Sequence, residues 1–164
     1  MRDRFGLIIH LDYYPQADMQ KIASKSAGKL NMTLSPKAAT EIAGRARGVP
    51  RIGNRLLKRV RDVSDEPTPK QVAATLLELG IDSWGLESCD RNLLMLIYKR
   101  FGGGPVGLRT LAAAFGLDEK TVAEAYEPYL VGRAGLLDVT EKGRRLSAKG
   151  FFYCKQVAIR LEGI

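Results

Sequence analysis

At 164 residues, 45% of them hydrophobic and with a mean hydropathy of −0.14, the chain can hold one medium domain or two small ones. No apolar run approaches the roughly 20 residues of a membrane span, and the charged opening Met1-Arg2-Asp3-Arg4 does not read as a secretion signal. A formal charge of +8 and a pI near 9.7 favour a polyanionic partner, nucleic acid first, although ribosomal and membrane-surface proteins share that balance.

Arg4 to Tyr14 carries Phe5, Leu7, Ile8, Ile9 and Leu11, the pattern of a buried strand, and Pro15 ends it. His10, the lone histidine, sits in this apolar run and reads as a packing residue. A first helix is predicted from about Gln16 to Leu30, with Met19, Ile22 and Ala23 inward. Ser35-Pro36 is a cap-and-proline start for a second helix carrying Ala38, Ala39, Ile42, Ala43 and Ala46. Gly48 can close that helix, and Pro50 suits the first turn of a third, where its missing N–H is no loss. On the third helix Ile52, Leu56, Leu57, Val60 and Val63 share one side, and Arg51, Arg55, Lys58 and Asp62 another. From Arg45 to Arg61 there are seven basic residues and no acidic one. That face either meets anions or is the basic surface of a helical bundle. After Asp65-Glu66-Pro67, Thr68-Pro69 starts a fourth helix through Val72, Leu76, Leu77 and Leu79 to Gly80.

Residues 81–88 read as a short connector in which Trp84 is expected to anchor two domains against each other. Asp90 to Phe101 is a strongly apolar helix with Leu93, Leu94, Leu96 and Ile97. Gly102-Gly103-Gly104-Pro105 lacks the Lys-Ser/Thr of a phosphate loop and reads as a mobile turn. Leu108, Leu111, Ala112 and Phe115 form a second helix ended by Gly116. Asp118 caps a third with Val122, Ala125 and Tyr126, which Pro128 is expected to kink. From Leu136 the period changes to two: Leu136 to Thr140, a turn at Glu141-Lys142-Gly143, and Arg144 to Ser147 read as a β-hairpin. Three helices and a two-stranded wing make a winged helix, a helix-turn-helix variant.

The third helix of this domain is acidic, with Asp118, Glu119, Glu124 and Glu127 against Lys120, and would repel a phosphate-lined groove. Between Lys142 and Arg160, by contrast, lie six basic residues and no acidic one. DNA contact is therefore expected on the wing, at Lys142, Arg144 and Arg145, through the backbone and not the bases. Replacing Arg144 by Ala should then lower the salt slope by roughly one phosphate contact. A protein–protein module is the rival reading. The tail from Phe151 to Ile164, with Phe152, Val157, Ile159 and Leu161, is too apolar for free solvent and is predicted to pack as a helix. Cys89 and Cys154 have neither CxxC spacing nor a nearby His cluster, and read as reduced thiols of a cytoplasmic protein.

Several of these motifs resemble one family. Gly48-Val49-Pro50-Arg51 followed by Asn54-Arg55-Leu56-Leu57-Arg59-Val60-Arg61-Asp62 resembles the second-sensor helix of RuvB, the hexameric ring ATPase of Holliday junction branch migration. Arg2-Asp3-Arg4-Phe5-Gly6 resembles its arginine-finger segment. Asp90-Arg91, Phe101-Gly102-Gly103, Gly104-Pro105-Val106-Gly107-Leu108, Glu127-Pro128-Tyr129-Leu130, Gly135-Leu136-Leu137 and Thr140 to Arg144 resemble its winged-helix domain. The resemblance runs to about Lys149. It implies a mainly α chain, with a four-helix AAA+ lid bundle followed by a winged-helix DNA-binding domain with a small β-hairpin wing. It divides the chain into the end of an ATPase core (1–14), the lid (15–80), the winged helix (81–150) and the tail (151–164).

By the same resemblance Arg4 is the finger that enters the neighbouring subunit's site, with Arg2 a lesser candidate. Arg51, preceded by Pro50, is the second sensor that reaches the ATP γ-phosphate in its own subunit. The sequence has no GxxxxGK[ST] loop and no acidic strand end for magnesium. ATP and Mg are therefore expected in a full-length protein, of which this chain is a truncated portion that neither binds nucleotide tightly nor hydrolyses it alone. The implied partners are double-stranded DNA and Holliday junction arms, a RuvA-type junction-binding protein and, in the full-length form, five more copies in a homo-hexamer, with no membrane. The alternative is a stand-alone winged-helix regulator that binds duplex DNA without ATP. A clamp-loader relative would share the finger and lid but gives no reason for the winged helix.

Overall fold

A computed structural model describes residues 12–162, with side chains to residue 160. The predicted strand, His10, and the finger candidates Arg2 and Arg4 lie outside the described residues. The chain forms two compact units, divided between Val72 and Ala73.

In the first unit α1 (Gln16–Lys29), α2 (Pro36–Arg45) and α3 (Pro50–Arg61) pack on one another. Ser35 caps α2 as its sequence predicts, its hydroxyl accepting from the Ala38 amide at 3.2 Å. The core is built from small residues and methionine: Met19, Ala23, Ala27, Ala38, Ala39, Ile42, Ala43 and Ala46 are all buried, with Leu56, Leu57 and Val60 from α3. Small side chains let the helix backbones approach closely. At Gly53 a Cβ would stand 3.0 Å from Met19 Cε and 3.3 Å from Ala46 Cβ. Val63, predicted on the apolar side, is 62% exposed because α3 has ended at Arg61.

Helix α4 (Pro69–Glu78) buries Val72 and Leu76. Leu77 and Leu79 are exposed.

The second unit holds α5 (Ser88–Phe101), α6 (Leu108–Phe115), a third helix, the hairpin β1 (Leu137–Thr140) and β2 (Gly143–Leu146), and α8 (Ala148–Glu162). Its core joins Leu86, Leu93, Leu94, Ile97, Leu111, Val122, Leu130, Leu136, Leu146, Tyr153 and Cys154. The third helix begins as a short α7 (Glu119–Thr121), capped by Asp118, whose carboxylate accepts from the Thr121 amide at 2.9 Å. It continues as two π-helical runs, Val122–Tyr126 and Pro128–Arg133, so the helix departs from α geometry on both sides of Glu127. The wide turns are carried by five-residue hydrogen bonds, such as Ala134 N–H to the Tyr129 carbonyl at 2.8 Å. In an α-helix the Pro128 ring would strike the carbonyl four residues before it; a wider turn relieves that clash.

Thr140 pairs with Gly143, so the hairpin closes on Glu141-Lys142 alone. The glycine run before Pro105 is pinned and is no loose turn. Val106 exchanges both backbone hydrogen bonds with Arg144 at 2.8 Å, and the Leu146 amide donates to the Gly103 carbonyl at 2.8 Å. Gly102, Gly103 and Gly104 all have left-handed backbones, and a Cβ on Gly104 would meet Arg144 O at 2.5 Å. The tail is helical, but its inward face is Tyr153, Cys154, Val157 and Ala158, while Phe151, Phe152 and Ile159 are exposed. Leu161 lies beyond the described side chains.

Candidate functional site

Two cationic surfaces stand out, one in each unit. In the first, Arg47 and Gly48 both take left-handed backbones, φ 56° and 71°, and turn the chain out of α2. The sequence pointed to Gly48 alone. Gly48 cannot be replaced without cost, since a Cβ there would lie 2.9 Å from both Tyr13 Cβ and Tyr14 O. The Tyr14 amide donates to the Gly48 carbonyl at 2.9 Å, tying the chain's approach to α1 to the turn that launches α3. Pro50 then fills the first position of α3, and Arg51 follows.

Because Gly53, Leu56, Leu57 and Val60 face inward, Arg51, Arg55 and Lys58 must face out, and all three are exposed. With Val49, Ile52 and Asn54 they line an open depression of about 900 Å³, and none of the described residues lining it is acidic. Arg45 is buried and paired with Glu41, and Arg59 and Arg61 each stand 3.8 Å from Asp62. Among the described residues lining the depression three are basic, and its two arginines suit oxyanions because the guanidinium fork donates paired hydrogen bonds and stays ionised.

The second surface is the wing. Lys142, at the turn, and Arg145 are exposed, and with Pro105, Thr140 and Glu141 they line a shallow depression of about 600 Å³. Arg145 is held loosely, its Nε 3.4 Å from Asp138 Oδ2 with both side chains about half exposed. Arg144 behaves otherwise. Its Nε donates to Glu127 Oε1 at 2.6 Å and its Nη2 to Glu127 Oε2 at 3.1 Å. The side chains are 17% and 10% exposed, so Arg144 is turned inward onto the third helix. Strand alternation explains the difference: neighbours on β2 point to opposite faces. In the chain without DNA, Arg144 is thus paired with Glu127, while Lys142 and Arg145 stand exposed. The same pair removes Glu127 from the acidic surface of the third helix, leaving Asp118, Glu119 and Glu124 exposed there.

Residues that sequence reasoning took as signatures turn out to fix the connector on α5. Asp90 accepts from the Glu87 amide at 2.9 Å, and Arg91 Nη1 donates to the Gly80 and Leu86 carbonyls at 2.7 Å each. Asp82 Oδ1 accepts from the Trp84 and Leu86 amides at 2.9 Å each. Trp84 itself packs inside the second unit, edge-on to Tyr153 at 5.4 Å and beneath Lys149 at 5.2 Å. Among the described residues no group of three His, Cys, Asp or Glu side chains could hold a metal ion. No helix among them is long and apolar enough to cross a membrane.

The sequence matches the RuvB AAA lid domain over residues 14–86 and the RuvB C-terminal winged helix domain over residues 83–155. The RuvB subunit of the Holliday junction branch migration complex from Latilactobacillus sakei is 46% identical over 156 residues, 92% of this chain and 46% of that protein. Its counterpart from a Synechococcus strain is 49% identical, covering 92% and 43%, and that from Streptomyces coelicolor 47% identical, covering 88% and 42%. Among solved structures, the RuvB Holliday junction branch migration motor of Thermotoga maritima superposes with a TM-score of 0.87 at 40% identity, over 94% of this chain and 53% of that one. The chain thus spans about half the length of the relatives it matches.

Proposed function

Since the chain belongs to the RuvB family over its AAA lid and winged-helix domains, we propose that it is the lid and DNA-binding portion of a hexameric, ATP-dependent motor. That motor drives Holliday junction branch migration in recombination and repair, in the cytoplasm, with a RuvA-type junction-binding partner. The observation that supports this best is that both domains match in order and without interruption at 40–49% identity.

In this reading the Arg51 depression faces nucleotide held by a core that the present sequence does not encode. ATP with Mg would supply the phosphoryl group whose hydrolysis drives the motor. Its phosphates are the anions that an arginine-lined surface suits, and Arg51, in the first turn of α3, is the second sensor that reaches the γ-phosphate. Pro50 contributes by setting where that helix begins. Arg4 serves the neighbouring subunit's site. On the wing, Lys142, Arg144 and Arg145 serve the DNA backbone, Lys142 and Arg145 being exposed already in the chain without DNA.

The test is duplex binding by the chain across a salt series. Lys142→Gln and Arg145→Gln should each lower the slope of log K against log salt by about 0.9, equally for unrelated sequences. A loss confined to one sequence, or an unchanged slope for both variants, would refute the wing assignment.

A further inference from the structure

The second unit carries a further cationic surface, outside the wing. Arg100, near the end of α5, and Arg109, in the first turn of α6, line an open depression of about 500 Å³ with Thr110, Ala113 and Ala114. None of the described residues lining it is acidic. Both arginines are exposed, and among the described residues no carboxylate forms an ion pair with either. The Arg100 guanidinium rests over its neighbour Phe101, 5.7 Å from the ring centroid, a contact that leaves the N–H donors of its edge available. Ala113 and Ala114 keep the floor low, so a bulky anion can approach the two guanidinium groups. The place of this surface in the fold ties it to the wing. Val106 exchanges both backbone hydrogen bonds with Arg144, and Pro105 lines the wing depression with Lys142 and Arg145. Arg109 follows Val106 by three residues, so their Cα atoms stand no more than about 11 Å apart. Helix α6 is also the first of the helix-turn-helix pair, the one that in such folds crosses the backbone while the second enters the groove. Here the second is the acidic third helix, with Asp118, Glu119 and Glu124 exposed, whereas α6 carries Arg109 and no acid.

We infer that Arg100 and Arg109 form a second contact with the phosphate backbone of duplex DNA, extending the DNA-binding surface from the wing onto α5 and α6. This rests on the reading that the second unit binds duplex DNA through its wing. Duplex DNA carries one charge for about every 1.7 Å of its axis, so a duplex seated on the wing brings phosphates to a cationic patch this near. Each guanidinium takes a phosphate through paired N–H donors whatever the base sequence, so the contact adds affinity and register without reading bases.

Duplex binding by the whole chain across a salt series tests this. Arg100→Gln and Arg109→Gln should each lower the slope of log K against log salt by about 0.9, and the double variant by about 1.8, equally for unrelated sequences. Lys25→Gln removes an exposed cation from α1, in the first unit, and should leave the slope unchanged, which separates a contact from a change of net charge. All three side chains are exposed, so the variants keep the cores of both units. Lys142→Gln and Arg145→Gln serve as the reference for the wing. An unchanged slope in the Arg100→Gln, Arg109→Gln double variant, while either wing variant lowers it, overturns the second contact and leaves the wing reading standing. A lowered slope in that double variant with both wing variants unchanged supports the contact on α5 and α6 and refutes the wing. If none of the variants changes the slope, both readings fail. A reduction as large in Lys25→Gln, or one confined to a single DNA sequence, also overturns the second contact.

Discussion

Replacing Tyr153 by Phe removes one hydroxyl and leaves the ring that fills the second core. That hydroxyl donates to Asp82 Oδ2 at 2.5 Å, from a residue 2% exposed. Burial first, and the Asp82 bond second, hold the phenol's pKa well above its ordinary value. Asp82 Oδ1 already serves the Trp84 and Leu86 amides, so it has no rearrangement that restores the lost donor. A hydrogen bond to a charged group contributes about 1.5–3 kcal/mol. Asp82 is only partly buried, so water can replace some of the loss and the lower end of that range, about 1.5 kcal/mol, is expected. Urea unfolding followed by fluorescence suits the measurement, because Trp84 is the only tryptophan and its ring lies 5.4 Å from that of Tyr153. The midpoint should fall with m unchanged. A loss below about 0.5 kcal/mol, the usual scatter of surface substitutions, would show that the connector is not held by this bond.

Three further outcomes are expected. Burial pushes the Cys154 thiol up to about 12 from an ordinary 9.0, whereas Cys89 is exposed. A maleimide at pH 8 should therefore label Cys89 alone until the chain unfolds. The folded state also holds the Cys154 proton longer, so its contribution to stability is full below about pH 9 and is lost as pH rises to about 12, visible in a pH series of unfolding midpoints. Gly48→Ala forces a side chain into a left-handed turn against Tyr13 and Tyr14 and should cost at least about 1–2 kcal/mol, read by thermal circular dichroism. In rings that join this chain to a RuvB-type nucleotide-binding core, Arg4→Ala should lower ATP turnover on the order of 10³–10⁵-fold. Mixing with a phosphate-loop lysine variant, itself inactive, should restore part of it; hybrid rings without restored turnover would rule out a finger acting in trans.

Which parts of the molecule could be read beforehand follows from where the physics is local. Ser35-Pro36, Val49-Pro50, Thr68-Pro69 and Asp118 start helices through groups adjacent in sequence, and α2, α3, α4 and α7 begin there. The outward face of Arg51, Arg55 and Lys58 likewise follows from the spacing of four inward residues on α3. What was missed depended on distant partners. Nothing in Gly102-Gly103-Gly104-Pro105 itself shows that Val106 will bridge Arg144, 38 positions on. Pro128 signals a break in α geometry, but not that it takes the form of π-helical turns on either side with Tyr129 and Leu130 buried. On α8, Phe151, Phe152 and Ile159 are the more apolar set, yet the buried set contains Tyr153, whose hydroxyl has a partner in Asp82. For Arg144 a signal was present: strand alternation sets it opposite to Arg145, and an inward arginine needs an acid.

If this chain couples a nucleotide-sensing lid to a DNA-contacting wing, a chimera should reveal the coupling. The chain replaces the matching portion of Thermotoga maritima RuvB, and ATP-driven movement of a synthetic junction is measured with a RuvA-type protein supplied. The chimeric rings should migrate the junction, whereas Arg51→Ala rings should bind duplex DNA with unchanged affinity and salt slope but leave the junction in place. Assembled rings in which Arg51→Ala migrates junctions at the parent rate would contradict the coupling, as would intact chimeric rings that hydrolyse ATP and bind the junction without ever moving it.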